Sequence, residues 1–386
     1  MSSRDDLSRE LVVTVGPSKA SSFGAPLKRL AAYQPTPVSE WFLGQGTSKR
    51  FVRVYRFSDV PPQSVIAPLN QFPGIKLERN FALCRAAAPD DPLYQEQWAL
   101  ARMSAEAAWQ CITTMATAAP APVTVAVVDS GIATAHPDLA TRIHPASLRF
   151  VDPLPDPNIE DEDGHGTYLC GTIAALTDNA VGVASAPGPL TVDLLVLKFY
   201  DPWTPLNGAN AARAIAYAVD QGADVINASW HVGMESQVLF DAIEYAAQHD
   251  VVVVAAAGNE GTNNDQLPVW PASYALPNII SVMASNRHDD KPSFSNYGQT
   301  VHLAAPGRGI LSTHHYWQAP QYRSYSGTSP AAAHVAAAAA IVRALRPAMT
   351  APAVKAHLIA SVDPKRDLKC LAAGRLNLER VVCGLP

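Results

Sequence analysis

ANAARAIAYAVDQGADVINASWHVGMESQVLFDAIEYAAQHDVVVVAAAGN, residues 209–259, decides the architecture. Residues 209–222 and 234–250 carry apolar side chains at helical spacing, so each predicts an amphipathic helix. Between and after them, DVINAS (224–229) and VVVVAAAGN (251–259) are short, β-branched and closed by small or polar residues, as buried strands are. Working outward, VTVAVVDS (123–130), LLVLKF (194–199) and NIISVMAS (278–285) repeat the strand pattern, and AAAHVAAAAAIVRAL (331–345) reads as a buried helix. Strands alternating with helices predict an α/β fold, a parallel sheet flanked by helices on both faces. In such sheets ligands bind beyond the carboxyl ends of the strands.

The first ninety residues follow a different rhythm. ELVVTV (10–15), KRFVRVYRF (49–57) and IKLERNF (75–81) predict strands, while SSFGAPLKRLAAY (21–33) and SVIAPLNQF (64–72) predict helices. That order fits a small α+β domain. CRAAAPDDP (84–92), rich in small residues and proline, predicts a linker. Two domains are therefore expected, residues 1–88 and 89–386.

The 386 residues are 48% hydrophobic and only 16% charged, the profile of a packed globular chain, and the 32 prolines point to many loops. A net charge of −5 supplies no basic footprint, which argues against nucleic acid as a partner. The N-terminal MSSRDDLSRELVVTVG lacks an apolar secretory core, and no run of 18 apolar residues occurs, so neither Sec export nor a membrane span is expected. The expected setting is cytoplasmic, with export by another route left open. Five cysteines, Cys84, Cys111, Cys170, Cys370 and Cys383, suit a reducing compartment better than a disulfide framework. Cys370 with Cys383 is the pair considered for a bridge.

Hydrolysing an amide through a covalent intermediate needs a nucleophile, a base to take its proton and a group that orients the base. Asp129 ends the apolar strand VAVVDSG, where a buried carboxylate requires a polar partner. His165 stands between glycines in DEDGHGTYLCGTIAAL (161–176), and Ser329 lies in YSGTSPAAAHVAAAAA (325–340), a glycine turn entering a long helix. The positive end of that helix would favour negative charge developing at the serine. Singly, each has an ordinary reading: a strand-end turn, a surface histidine beside an acidic loop, and a helix N-cap. The acidic run IEDEDG (159–164) likewise reads either as a field attracting basic residues of a substrate or as a solvated loop.

The conjunction is more specific than its parts. VAVVDSGIATAHPDL, DGHGTYLCGTIAA, VINAS, VVVVAAAGNEG, WPASYALPNIISV, FSNYGQTVHLAAPG, SGTSPAAAHVAAAAA and GRLNLERVV resemble, in order, the blocks of the subtilisin-like serine protease family, over residues 89–386. The chain order Asp, His, Ser is also the subtilisin one. The resemblance implies a serine endopeptidase with Asp129, His165 and Ser329 as its triad and Asn259 as the side-chain donor to the oxyanion. An extended peptide would pair with Ser229, Trp230 and His231 on one side and with the region of Leu206, Asn207 and Gly208 on the other. Ala256, Ala257 and Gly258 would line the primary pocket. Here the chain departs from the family twice: His231 stands where glycine is usual, and Val269 falls at the pocket floor, which predicts poor fit for large aromatic side chains. Pro330 follows the nucleophile, a position where the missing N–H costs nothing.

Relatives of the thermitase type also imply a structural Ca²⁺, held here by Asp91, Asp138 and Asn179 with the carbonyls of Leu176, Val181 and Val183. No cofactor is implied for the chemistry. FVRVYRFSDVPPQSVIAPLNQFPGIKLERN resembles part of a propeptide, and DDPLYQEQWALARMSAEAAW the start of a mature enzyme. The partners implied are a protein or peptide substrate and the chain's own N-terminal domain as an intramolecular inhibitor, with FALCRAAA (81–88) passing through the cleft. Other readings of the same residues are a peptide-tailoring protease or transpeptidase, and a catalytically silent binding scaffold.

Overall fold

Successive residues of a strand face opposite sides, and here both sides are apolar, so the strands are buried twice over. Val125 and Val127 enter one hydrophobic cluster while Ala126 and Val128 enter another. The same division holds for Leu194 and Val196 against Leu195 and Leu197. The structure is a computed structural model that describes residues 10–15, 30–43, 50–57, 75–79, 88–115, 120–151, 156–204, 207–314 and 321–385. The chain divides into two compact units, Met1–Arg85 and Ala86–Pro386.

The first unit is a four-stranded antiparallel sheet of β1 (Glu10–Val15), β2 (Thr36–Leu43), β3 (Arg50–Arg56) and β4 (Ile75–Arg79), in the order β2-β3-β1-β4. Sequence reading misses β2. Its Pro37 argues against a central strand, and the structure accommodates it at the edge, with a register shift between Pro37 and Ser39. The predicted helix at 64–72 and most of that at 21–33 lie outside the described residues.

In the second unit β5 (Val123–Asp129), β6 (Leu148–Arg149), β7 (Val192–Lys198), β8 (Val225–Ala228), β9 (Val252–Ala256), β10 (Ile279–Ser285) and β11 (Leu303–Pro306) run parallel. A hairpin of β12 (Arg308–Thr313) and β13 (Tyr322–Ser326) stands apart from them. With β14 (Val362–Pro364) and β15 (Gly374–Leu376) the nine-stranded order is β14-β15-β11-β10-β9-β8-β5-β7-β6. Helices Gly208–Asp220 and Gln237–Gln248 cover one face. Helices Ala105–Met115, His165–Ala174 and Thr328–Leu345 cover the other. Thr328–Leu345 has the length and apolarity to cross a membrane, yet it is buried as the core helix against β8–β11. Its run Ala336–Ala340 is fully enclosed, since small side chains let the helix lie close to the sheet.

Two tethers close this unit. Cys111 is disulfide-bonded to Cys383, joining the helix Ala105–Met115 to the last helix, Leu378–Cys383. This corrects the sequence expectation: Cys383 pairs with Cys111, and Cys370 is a free, buried thiol. Folding brings together residues 272 apart, which spacing could not reveal. The second tether centres on buried Asp289, which binds Arg375 at 2.7 Å, Arg102 at 2.6 Å and Lys365 at 3.0 Å.

Candidate active site

Asp129 is the last residue of β5 and is fully buried. His165 opens the helix His165–Ala174, and its Nδ1 lies 2.8 Å from Asp129 Oδ1. Two glycines permit this approach. A Cβ on Gly166 would fall 2.2 Å from the Gly131 carbonyl oxygen, so the turn after Asp129 and the helix after His165 touch through bare backbone. The Ser130 hydroxyl accepts the Gly166 N–H at 2.8 Å and ties the same two segments.

The acidic run beside His165 is neither a solvated loop nor a free field. Asp161 is buried and accepts from the N–H groups of Gly164 and Thr167 and the Thr167 hydroxyl, which caps the His165 helix. Burial opposes the charge on Asp161, yet these donors hold its carboxyl below the usual range. Glu162 pairs with buried Lys198, and Glu160 accepts from Thr134. Asp163 alone of the four is exposed. For His165, burial disfavours the imidazolium, but the charge and hydrogen bond of Asp129 outweigh it and raise the imidazole to about 9.

Ser329 is the second residue of the helix Thr328–Leu345, whose N-cap is Gly327. The serine is therefore not a capping residue. Its hydroxyl donates to the Ser229 carbonyl at 2.9 Å, while the Ser229 hydroxyl donates to the Ser329 carbonyl at 3.1 Å. Asn259 follows β9 by three residues, and its Oδ1 accepts the Thr328 N–H at 2.8 Å. That bond turns the Asn259 amide nitrogen toward Gly327. A Cβ built on Gly327 would lie 3.6 Å from Ser329 N and 3.7 Å from Asn259 Nδ2. Both donor nitrogens thus lie within ordinary contact distance of one point beside Gly327.

Around this centre the pocket residues divide. Ala256, Ala257 and Gly258 are buried at the end of β9. Gly258 has φ +105°, and a Cβ there would meet Asn296 Nδ2 at 2.4 Å. Ser229, Trp230 and His231 continue β8 with no ladder partner among the described residues, as a segment open to β-pairing would. Trp230 turns inward onto Phe199 and donates to the Val128 carbonyl. Val269 is buried in the same cluster as Trp230. His231 Nε2 lies 3.0 Å from Glu260 Oε1, so a polar bridge spans the far ends of the two segments. Gly208 begins the helix Gly208–Asp220, where the Asn207 side chain accepts the N–H groups of Ala209 and Asn210. Leu206 lies outside the described residues.

Among the cation ligands implied by sequence, Asp138 and Asn179 are in direct contact. Asp138 is fully buried and accepts from Asn179 Nδ2 at 2.9 Å and Val183 N–H at 3.1 Å. Asp91 is buried, and its Oδ1 has no hydrogen-bond partner among the described residues. Burial pushes both carboxyls up, outweighing the hydrogen bonds that each accepts. Leu176, Val181 and Val183 lie in the loop after the His165 helix, with Leu176 N–H donating to the Asp138 carbonyl and Val181 N–H to Asn179 Oδ1. Asp90 and Asp178, not anticipated from sequence, cluster with Asp91.

The model of the subtilase family matches residues 121–376, a span containing Asp129, His165, Asn259 and Ser329. The chain belongs to the subtilase family. This subtilase is 37% identical to thermitase from Thermoactinomyces vulgaris over 258 residues, covering 66% of this chain and 85% of thermitase. It is 34% identical to subtilisin Savinase from Lederbergia lenta, covering 67% and 89% of the two chains. Among solved structures, a protease from Pseudoalteromonas arctica superposes with a TM-score of 0.67 at 25% identity, covering 77% of this subtilase and 99% of that chain. The chain is accordingly a serine endopeptidase, a hydrolase acting on peptide or protein substrates. Subtilases generally bind calcium and need no cofactor for catalysis.

Proposed function

We propose that Ser329 is the nucleophile, His165 its general base, Asp129 the group that orients His165, and Asn259 with the Ser329 N–H the oxyanion donors. The observation that carries this reading is the pair of donors converging beside Gly327, one residue past the end of β13 and at the mouth of the Thr328–Leu345 helix. For the reaction the Ser329 hydroxyl must turn from the Ser229 carbonyl toward His165 Nε2, the ring nitrogen opposite the one that engages Asp129. His165 then takes the proton as Oγ bonds to the scissile carbonyl carbon, and the displaced charge settles between the two donors. The same proton passes to the leaving amine, and water, deprotonated by His165, releases the acid.

The N-terminal unit we assign as a propeptide-like inhibitor, so that the enzyme is made latent. Its strand pattern supports this reading; the tail at 81–87 lies outside the described residues. Asp91, Asp138 and Asn179, with the carbonyls of Leu176, Val181 and Val183, fit a hard cation, since an unpartnered buried carboxylate oxygen is what Ca²⁺ would satisfy. The ion would supply structural charge neutralisation. The Cys111–Cys383 bond favours an oxidising setting over the cytoplasmic one expected from sequence.

Intact mass followed over time for wild type and Ser329→Ala tests the assignment. Loss of the N-terminal unit in wild type alone supports it. Equal processing of Ser329→Ala, or failure of a fluorophosphonate to label Ser329 in processed wild type, refutes it.

A further inference from the structure

Tyr200 lies two residues beyond β7, the strand that pairs with β5 through Asp129 and Lys198. Its hydroxyl donates to Asp129 Oδ1 at 3.2 Å. The ring is half-buried, set edge-on against Phe199, which itself leans on Trp230. Trp230 in turn donates to the Val128 carbonyl, one residue before Asp129. The phenol is thus held by a packed chain that begins and ends at the tip of β5. The Phe199 N–H also donates to the Asp129 carbonyl, at 3.0 Å, so the backbone fixes the same approach.

Asp129 Oδ1 receives three donors: the Ser130 N–H and His165 Nδ1, each at 2.8 Å, and the Tyr200 hydroxyl. Asp129 Oδ2 is buried and has no hydrogen-bond partner among the described residues. All the compensation for this buried carboxylate therefore falls on one oxygen. A donor added there stabilises the carboxylate and draws charge away from the imidazole proton, so it weakens the hold of Asp129 on His165.

We propose that Tyr200 is a positioning residue of the active site, fixing the Asp129 carboxylate and moderating the basicity that Asp129 confers on His165. The inference rests on the triad assignment above. The charged and titratable groups facing this cluster are Asp129 on β5, Asp161 and Asp163 in the turn before the helix, His165 and the buried Cys170 thiol on the helix, and Tyr200 itself. Burial first, and then the Asp129 charge, keep the phenol protonated by pushing it well above its ordinary range, so it remains a donor across the working pH of the enzyme.

The test is the pH profile of kcat/KM for processed enzyme. Tyr200→Phe removes one hydroxyl and moves the acid limb of the profile upward by about half a unit to one unit. The downfield Nδ1 proton resonance of His165 shifts with it, while the KM for a small peptide amide stays within about twofold, as expected of a group that acts only through Asp129. Incorporating 3-fluorotyrosine, a stronger donor, moves the limb downward in wild type and leaves it in place in Tyr200→Phe. These opposite displacements cannot arise from a packing defect. An acid limb that stays put in both experiments overturns the proposal. Ser329→Ala run in parallel separates the two assignments: hydrolysis surviving that change sinks the triad reading itself, whereas its loss beside an unmoved Tyr200→Phe limb sinks only the role of Tyr200.

Discussion

Asn259 Oδ1 accepts both the backbone N–H of Thr328, at 2.8 Å, and its hydroxyl, at 3.1 Å, so the residue before the proposed nucleophile aims the amide proposed as oxyanion donor. Asn259→Leu is expected to lower kcat about 100- to 1,000-fold with little change in KM, the magnitude known for loss of this donor in subtilisin. Thr328→Val keeps the N–H contact and should cost roughly tenfold or less, in line with one neutral hydrogen bond. Steady-state kinetics on a peptide anilide distinguish the two, and a large KM change for Asn259→Leu would contradict a transition-state role.

With its imidazole raised to about 9, His165 as the proposed base is expected to shift activity toward alkaline pH. Because the base must be neutral to act, kcat/KM rises as pH climbs through a midpoint between about 6.5 and 9. The sign for stability is opposite: a raised histidine contributes fully below its unfolded value near 6.5 and the contribution is lost as pH rises through about 9. Asp129→Asn should move the activity midpoint downward while reducing kcat. A profile flat between pH 6 and 9 would contradict this.

Asp289 titrates the other way. Burial alone would raise its carboxyl, but Arg102, Lys365 and Arg375 hold it at about 2. A depressed carboxyl contributes stability above its unfolded value near 3.9, and this contribution, on the order of 2 kcal/mol, is lost as pH falls toward 2. Arg375→Ala, which removes the buried partner of Asp289 while Arg102 and Lys365 remain, is expected to cost about 2 kcal/mol at neutral pH in denaturant unfolding.

Chelated protein should melt about 5 °C higher on adding millimolar Ca²⁺, the gain expected when ligand exceeds its dissociation constant about a hundredfold. Asp138→Asn should abolish that gain without removing peptidase activity at low temperature. Identical melting curves with and without Ca²⁺ would exclude a structural ion.

The His231–Glu260 bridge at 3.0 Å occupies the glutamate. His231→Gly frees its Oε1, and peptides with lysine at the position before the scissile bond should gain about two- to fivefold in kcat/KM relative to alanine, the value of one exposed ion pair. Unchanged ratios across a peptide library would show that the bridge lies outside the specificity pocket.

Much of this was legible in sequence because the strands carrying Asp129 and Asn259 are uninterrupted β-branched runs, whose period and end residues place them without tertiary information. His165 and Ser329 were legible through neighbouring glycines, which mark where backbones must touch. What stayed hidden depends on contacts between distant segments. Tyr200 lies just past the predicted strand 194–199 and carried no signal of its own; only the pairing of β7 with β5 brings it to Asp129. Asp161 looked like one acid among four, and its burial follows from the fold of the turn. The helix begins one residue before the predicted 209 because the Asn207 side chain supplies a cap. β2 was missed because proline at an edge resembles proline in a loop.

The bond between Cys111 and Cys383 turns the intervening chain, with all four proposed catalytic residues in it, into a covalent ring. A protease is surrounded by copies of itself, and its exposed loops are the nearest peptide bonds. One such cut inside the ring makes a nick but releases no fragment, and the two pieces travel as a single species until a reductant parts them. Wear of this kind would be invisible on a non-reducing gel, where the damaged enzyme keeps the mass of the intact one.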